Sequence, residues 1–283
     1  MKVSLNWLTD YVDVSLSAKE LAAGLARVGL GCEEIIETAT DVVLDLEVTS
    51  NRPDCLGHLG VAREVAALTG ATFRLPKIGK LKTSGKAAEL TAVDVQAPDL
   101  CPRYTARVIR GVTVGESPSW MVDRLQAVGL RSINNVVDVT NYAMVELGHP
   151  MHAFDLGRLT GGQLRIRRPR PGERVRTLDG EERTLDPEML VIADMTHAQA
   201  IAGVMGGAEA EVWGGTTAVA FESAYFAPRS VRRTSKRLGL KTEASARFER
   251  GADINAPVFA LERACELLEQ IGAGRRRGAV IDC

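Results

Sequence analysis

Residues 218–226 read AVAFESAYF, an apolar run that predicts a buried strand carrying a single carboxylate, Glu222. A carboxylate in such a strand costs free energy unless a partner satisfies it. Either Glu222 meets an internal arginine, or it faces a cavity and accepts a hydrogen bond from a ligand. This stretch is therefore both a core element and a candidate functional position.

Strand and helix patterns alternate on both sides of this run. Ser117-Pro118 fits the rule of a capping residue followed by proline, and it predicts a helix from there toward Gly129. Further helices are predicted over 136–147, 228–238 and 256–271. Strands are predicted over 90–95, 104–112, 164–168, 173–177, 183–185, 190–193 and 200–204. This order favours a mixed α/β (α+β) fold with antiparallel pieces.

The first 75 residues form a smaller helix-and-strand pattern. Ser17 and Glu20 have the spacing of a capping box, which predicts a helix that ends at Gly29. We expect residues 1–75 to form an N-terminal unit with strands at 34–36 and 42–48 and a helix at 56–68.

The predicted domain boundaries follow from composition. Residues 76–88, PKIGKLKTSGKAA, contain four lysines and little periodicity, which is typical of a linker. An exposed loop within one domain is the alternative. Residues 89–274 then form the larger module. The final AVIDC resembles half a strand without a partner, so we expect 275–283 to be the truncated start of a further domain.

The composition excludes several classes of protein. Hydrophobic residues make up 45% and charged residues 25%, and 35 basic side chains nearly balance 36 acidic ones, so neither bulk disorder nor a globally basic chain is expected. No apolar run reaches the ~18–20 residues of a membrane span. The N-terminus lacks the apolar core of a signal peptide. The five cysteines contain no CxxC pair, which favours a reducing cytoplasm over a disulfide framework.

Three stretches rich in polar residues are candidates for a functional site: residues 139–155, residues 202–207, and residues 221–226 together with 241–245. His149 and His152 could bind a metal, but Pro150 between them argues against a shared helical face, so a pocket role or a structural role is favoured and no metal is predicted. Gly206-Gly207 lacks the lysine of a phosphate-binding loop, and a simple turn or a ligand-facing turn remain open. No nucleophile signature is present.

Two stretches are strongly basic. Residues 165–176 contain six arginines and one acid, and residues 229–241 contain six basic side chains and no acid. A solvated face and a phosphate-backbone partner are equal alternatives. The candidates for phosphate contact are Arg165, Arg167, Arg168, Arg232, Arg233 and Arg237.

Longer motifs carry a family resemblance. The chain resembles the β subunits of bacterial phenylalanyl-tRNA synthetases from Lys2 to about Gly272. The motifs are KVSLNWLTDYV, EVTSNRPDCLGHLGVAREVAALTG, RSINNVVDVTNYAMVELGHPMHAFD, AGVMGG and FESAYFAPRSVRRTSKRLGLKTEASARFERGAD. Two departures stand out. Where the family usually carries an inserted oligonucleotide-binding barrel, about ten residues near 37–46 stand here, so we expect that insert to be absent; the resemblance also implies that this sequence corresponds to the first part of a β subunit.

The resemblance implies an editing module that hydrolyses tyrosine mischarged onto tRNA-Phe. The carried-over catalytic positions are His152, Asn141, Thr242 and Gly206, and the substrate-binding positions are Glu222, Thr140 and Ala244. A site that hydrogen-bonds a hydroxyl rejects the analogue lacking it by about 10⁴–10⁵. Glu222 would sense the tyrosine hydroxyl, and a water placed by backbone and polar side chains would attack the ester.

The resemblance also implies partners. These are tRNA-Phe and the synthetase α subunit, in a cytoplasmic α2β2 enzyme that uses ATP and Mg²⁺; the fragment itself needs no cofactor and contacts neither DNA nor a membrane. Aminoacylation is not expected from this chain alone. The alternatives are a non-catalytic structural part of the assembly and a free-standing editing or amino-acid-binding protein.

Overall fold

The computed structural model describes residues 1–79 and 92–283. The helices are α1 Leu5–Leu8, α2 Ala18–Arg27, α3 His58–Thr69, α4 Ser119–Ala127, α5 Asn135–Leu147, α6 Pro228–Leu238, α7 Glu243–Phe248 and α8 Ala256–Gln270. The strands are β1 Lys2–Ser4, β2 Gly31–Glu37, β3 Val42–Glu47, β4 Ala92–Val95, β5 Arg103–Arg110, β6 Met151–Asp155, β7 Gln163–Arg167, β8 Arg174–Arg176, β9 Glu182–Thr184, β10 Val191–Ala193, β11 Ala198–Ile201, β12 Met205–Gly206, β13 Ala218–Tyr225 and β14 Arg275–Asp282. This confirms the mixed α/β class.

Strand β13 lies inside a four-stranded antiparallel sheet with the order β14-β5-β13-β6. Its register sets Glu222 opposite Ala106 on β5 and opposite His152 on β6. A second sheet has the order β12-β11-β10-β7-β4, in which β4 and β7 are parallel. Strands β1, β3 and β2 form a third sheet, and β8 pairs with β9 in a hairpin.

Two hydrophobic cores hold these layers together. The first joins Trp7 and Leu44 of the N-terminal unit to Tyr142 on α5 and Leu261 on α8. The second lies between the four-stranded and five-stranded sheets and includes Phe154, Ile166 and Phe226. The N-terminal unit thus shares its core with the larger module. The boundaries at 75 and 89 stay predictions, and residues 80–88 of the predicted linker lie outside the described residues.

A buried polar cluster crosses the first core. Glu146 on α5 is fully buried and accepts hydrogen bonds from Arg263 Nε and Nη2 on α8, both at 2.8 Å. Tyr11 Oη also donates to Glu146, and Trp7 Nε1 donates to Tyr11 Oη at 3.0 Å. Charge pairing and full hydrogen bonding allow this carboxylate to remain in an apolar interior. We call these four residues the Glu146 cluster.

Most predicted helices are confirmed, but one predicted cap is wrong. The capping box of Ser17 and Glu20 is present, and α6 begins and ends where predicted. Helix α4, in contrast, has Pro118 at its N-cap position without a side-chain bond. Ser117 lies one residue before that position, and its Oγ donates to the Asp138 carboxylate at 2.6 Å.

The expectation that the last strand lacks a partner is wrong. Strand β14 pairs antiparallel with β5 at the edge of the four-stranded sheet. Arg276 of β14 is buried and forms ion pairs with Glu262 and Glu269 on α8. Residues 275–282 therefore complete the sheet of the larger module.

None of the helices in residues 1–79 and 92–283 combines the length and the apolarity that a bilayer crossing demands.

The Glu146 cluster yields a stability prediction. Glu146→Ala leaves the Arg263 guanidinium and the Tyr11 hydroxyl without their acceptor in a buried site, so the free energy of unfolding should fall by about 3–5 kcal/mol. Urea denaturation measures the loss. The control is Glu182→Ala, which breaks an exposed pair with Arg174 and should cost less than about 1 kcal/mol. Equal losses in the two variants would contradict a special role for the cluster.

Candidate functional site

A cavity of about 240 Å³ lies where β6, β13, the β11–β12 turn and the start of α7 meet. Its walls are mostly apolar and include Met144, Ile201 and Phe248. Six of the seven residues predicted for the site line this one cavity: Asn141, His152, Gly206, Glu222, Thr242 and Ala244. The fold thus brings together residues that are up to 103 positions apart in the sequence.

Thr140 is not among the described residues that line the cavity. It is buried, and its Oγ1 donates to the backbone oxygen of Val137 at 2.7 Å within α5. The neighbouring Asn141 does line the cavity. Its side-chain amide has no hydrogen-bond partner in the part of the chain that the structure describes, so it is available to a ligand or water.

Glu222 is the most unusual group of the cavity. Its side chain is 5% exposed, and Tyr104 Oη donates to its Oε2 at 3.2 Å. Within residues 1–79 and 92–283 no cation forms an ion pair with it. Burial therefore raises the pKa of Glu222 to about 8, although the Tyr104 hydrogen bond opposes the shift. Of the two alternatives from the sequence, the cavity-facing carboxyl is the one observed, and it is mostly protonated at neutral pH.

His152 lies beside Glu222 on the adjacent strand. Its ring packs edge-on against Phe154 with a centroid distance of 4.5 Å. Burial lowers the pKa of His152 to about 4, so the imidazole is neutral at physiological pH. Its Nε2 is buried and has no hydrogen-bond partner among the described residues. An orphaned buried nitrogen at a cavity wall is a ready contact for a ligand or water.

Gly206 leaves the space that His152 occupies. A Cβ at this position would lie 2.4 Å from His152 Cε1 and 3.0 Å from Leu178 Cδ1. Both distances are too short for a side chain, so only glycine permits this close approach. Gly206 lines the cavity, and whether this turn faces a ligand stays a prediction.

Thr242 and Ala244 belong to the start of α7. Thr242 is the N-cap, and its Oγ1 accepts from Ser245 N at 3.0 Å and donates to the Val204 oxygen at 2.8 Å. Since this proton is already committed, Thr242 ties α7 to the β11–β12 turn. Ala244 forms part of the wall.

His149 does not join His152 in one site. It is buried beside a separate cavity of about 400 Å³, which Asp253 also lines, and burial lowers its pKa to about 4. His149 and His152 therefore line different cavities, and the fold does not place them together as ligands of one metal ion.

Asp54, Cys55 and Glu64 form a three-residue group with metal-binding atom types, all within 4.8 Å. Arg52 Nη2 already lies 2.9 Å from the Asp54 carboxylate and 2.8 Å from that of Glu64. Burial also raises the pKa of the Cys55 thiol to about 12, which keeps it protonated and a poor ligand. These residues do not fit a metal ion.

The predicted phosphate contacts are not equivalent. Arg167 is buried, and its Nη1 and Nη2 each lie 2.7 Å from the Glu173 carboxylate, so its guanidinium is not available for the predicted phosphate contact. Arg168 and Arg237 are exposed but pair with Asp99 and Asp186. Arg233 lies 3.9 Å from Glu188, Arg165 bonds weakly to Gln163, and Arg232 is exposed without a partner among the described residues.

Two residues of the site were missed by the sequence analysis. Tyr104 bonds to Glu222 although the two are 118 positions apart in the sequence, and no local sequence pattern predicts that contact. Leu178, in the β8–β9 turn, lines the cavity although it is 44% exposed. An apolar residue in an otherwise polar turn was the available signal.

The fold and this cavity define the class of protein. Residues 100–273 match the B3/4 domain, and the chain belongs to the B3/4 domain family.

Individual relatives of this chain carry a more specific description than the domain family does. The phenylalanine–tRNA ligase β subunit of Anaeromyxobacter dehalogenans is 53% identical over 242 residues, which covers 86% of this chain and 30% of that protein. The β subunit of Moorella thermoacetica is 49% identical over 278 residues, covering 96% and 34%. That of Rhodopirellula baltica is 47% identical over 282 residues, covering 100% and 41%.

The chain spans about a third of the length of these relatives. The resemblance to synthetase β subunits is thereby confirmed over most of the chain, whereas the missing barrel stays a prediction. Among solved structures, an N-terminal fragment of the phenylalanyl-tRNA synthetase β subunit from Pyrococcus horikoshii is similar with a TM-score of 0.47 and 15% identity. That match covers 100% of this chain and 78% of the fragment.

The raised pKa of Glu222 predicts how stability depends on pH. The folded protein retains this proton up to about pH 8, whereas the unfolded chain releases it near pH 4.5. Stability relative to Glu222→Gln should therefore fall as pH rises from 4.5 to 8, by at most about 1.4 kcal/mol per pH unit. Denaturation at several pH values measures this difference.

The control for that series is Glu188→Gln, which changes an exposed carboxyl. The free energy of unfolding of this variant should change with pH in the same way as that of the unmodified chain. If that of Glu222→Gln also changed in this way, the buried carboxyl would not carry the proposed proton.

Proposed function

We propose that this chain is the N-terminal and editing part of a phenylalanine–tRNA ligase β subunit and that it hydrolyses tyrosine mischarged onto tRNA-Phe. The observation that carries the proposal is Glu222, a buried and mostly protonated carboxyl at the wall of a small apolar cavity. The β-subunit relatives supply the context of a tRNA ligase.

The cavity suits the side chain of an aromatic amino acid. Its volume of about 240 Å³ is below the ≈ 300–1,000 Å³ of drug-sized pockets, which favours a ligand of amino-acid size. The apolar wall accepts the ring, and the carboxyl meets a hydroxyl at its end. Phenylalanine would leave the second oxygen of that buried carboxyl without a hydrogen-bond partner, and sites that bind a hydroxyl discriminate strongly through this cost.

The hydrolytic step needs a placed water. The water oxygen attacks the ester carbonyl carbon, the bond from that carbon to the ribose oxygen breaks, and the ribose oxygen gains a proton as water loses one. A neutral His152 can accept a hydrogen bond from this water, and the Asn141 amide can donate to the carbonyl oxygen. Gly206 gives the reacting group access, and Thr242 holds the surrounding turn in place.

The tRNA would approach along α6. Its exposed cations include Arg229, Arg232 and Lys236, and the exposed Lys241 directly precedes the cavity residue Thr242. This basic face ends at the cavity, so a phosphate backbone bound there brings its terminal ribose near Glu222. Arg167 has no part in this surface because its charge is buried and paired.

We propose the rest of the assembly from the family resemblance. The α subunit, the α2β2 stoichiometry, ATP and Mg²⁺ belong to the whole cytoplasmic synthetase in this proposal. Strands β2 and β3 pair directly up to Glu37 and Val42, and four residues connect them. This tight hairpin supports the absence of an inserted barrel at that point.

The proposed function predicts selective deacylation. The chain should release tyrosine from tyrosyl-tRNA-Phe and spare phenylalanyl-tRNA-Phe, and Glu222→Ala should lower that preference by at least about 100-fold because the hydroxyl loses its partner. Release of radiolabelled amino acid measures both rates.

Glu182→Gln, an exposed carboxyl on the β8–β9 hairpin, is the matched control and should keep the preference. If the unmodified chain neither hydrolyses the tyrosyl ester nor binds tyrosine, the module is structural and the proposal fails.

The water-placing roles predict a rate loss without a loss of discrimination. His152→Ala and Asn141→Ala should each slow tyrosine release by about 100-fold at saturating substrate, and the preference for tyrosine should remain. Single-turnover kinetics measure these effects. The control His197→Ala removes an exposed histidine paired with Glu209 and should leave the rate of tyrosine release unchanged. Full hydrolysis by both cavity variants would refute these roles.

A further inference from the structure

A buried phenol stands behind the carboxyl of the site. Tyr104 on β5 has no exposed surface and is not among the described residues that line the cavity. Its Oη donates to Glu222 Oε2 at 3.2 Å. Among the described residues, no hydrogen-bond partner is found for the other oxygen, Oε1. The carboxyl therefore has one oxygen fixed from behind and one left for a ligand.

The position of Tyr104 is fixed on both sides. Its strand pairs with β13, where Tyr104 lies opposite Ala224, two residues from Glu222. On the other side, Tyr104 N donates to the Cys283 oxygen at 2.9 Å and Cys283 N donates to the Tyr104 oxygen at 3.0 Å. The ring is part of the second hydrophobic core. Such a phenol cannot follow the carboxyl if the carboxyl turns.

The chemistry of this partner matters for selectivity. A guanidinium would occupy both oxygens of Glu222, as Arg263 does with Glu146. A phenol supplies one neutral hydrogen bond, so the carboxyl keeps its proton and can both donate to and accept from a hydroxyl. A free carboxyl could instead rotate toward its own strand and leave the cavity apolar.

We propose that Tyr104 is a positioning residue for specificity, which holds Glu222 so that a single oxygen meets the hydroxyl of the substrate. The proposal rests on the proposed function of the same cavity. Tyr104 acts through Glu222 and touches neither the ester nor the water.

The titratable groups that face Glu222 are few. Among the described residues, the buried ones are Tyr104 on β5, His152 on β6, and the thiol of Cys101, which precedes β5. Glu243 of α7 also lines the cavity, but its carboxylate is exposed and pairs with Arg247. Burial and the nearby Glu222 raise the pKa of Cys101, and burial lowers the pKa of His152. Glu222 is thus the group of this set expected to titrate near neutral pH.

The test is Tyr104→Phe, which removes one oxygen and keeps the ring. The preference for tyrosyl over phenylalanyl ester should fall about 10-fold through a higher KM for the tyrosyl ester, while kcat is unchanged. The pH midpoint of the preference should move upward, because the lost bond stabilised the ionised carboxyl. Tyr225→Phe on β13 is the matched control and should move neither quantity.

A double variant separates the outcomes. If Tyr104 acts through Glu222, Tyr104→Phe should have no further effect on the preference in a Glu222→Ala background, which has no acceptor for the phenol. A full 10-fold effect in that background, or an unchanged preference and pH midpoint in Tyr104→Phe alone, would overturn the proposal.

Binding of tyrosinol and phenylalaninol, measured by calorimetry, provides a readout that needs no hydrolysis. A smaller difference between their affinities in Tyr104→Phe supports the proposal. An unmodified chain that hydrolyses nothing but still prefers tyrosinol contradicts only the hydrolytic function. An unmodified chain that binds neither compound overturns both.

Discussion

One buried carboxylate, Glu146, connects the parts on which the cavity depends. Arg263 on α8 and Tyr11 of the N-terminal unit both bond to it, so the position of α5 is set from two directions. Helix α5 carries Asn141 into the cavity and ends at Gly148, just before β6 and His152. The N-terminal unit is therefore part of what aligns the site.

Two of the buried carboxyls, Glu146 and Glu222, have different partners, and the consequences differ. Glu146 is matched by a guanidinium that bonds to both its oxygens, and its hydrogen bonds are complete. Glu222 has one bond to a phenol and faces open space, which is costly in the folded state. A buried polar group whose hydrogen bonds are all made stabilises the fold, whereas one that lacks a hydrogen-bond partner indicates a place where a ligand can bind.

Local features of this fold were predictable, and long-range ones were not. The capping box of α2, the bounds of α6 and the class of fold follow from patterns within a few residues. Six site positions came from motifs that resemble a family. The partner of β14, the pairing of Arg167 and the contact of Tyr104 each depend on residues far away in the sequence or on burial that composition does not reveal. Ser117 is not the cap because α4 begins one residue later than the pattern predicts, with Pro118 at the N-cap position.

The two titratable groups buried in the cavity wall, Glu222 and His152, are both uncharged near pH 7, since Glu222 retains its proton and His152 lacks one. The cations of α6 lie outside the cavity, on the surface. In the proposed reaction, binding of the tRNA therefore depends on ionic strength, whereas recognition of the amino acid does not. Ionic strength governs how often a charged tRNA arrives, while the choice between two side chains inside the cavity is insensitive to it. The same module could thus work at very different salt concentrations with constant accuracy and changing throughput.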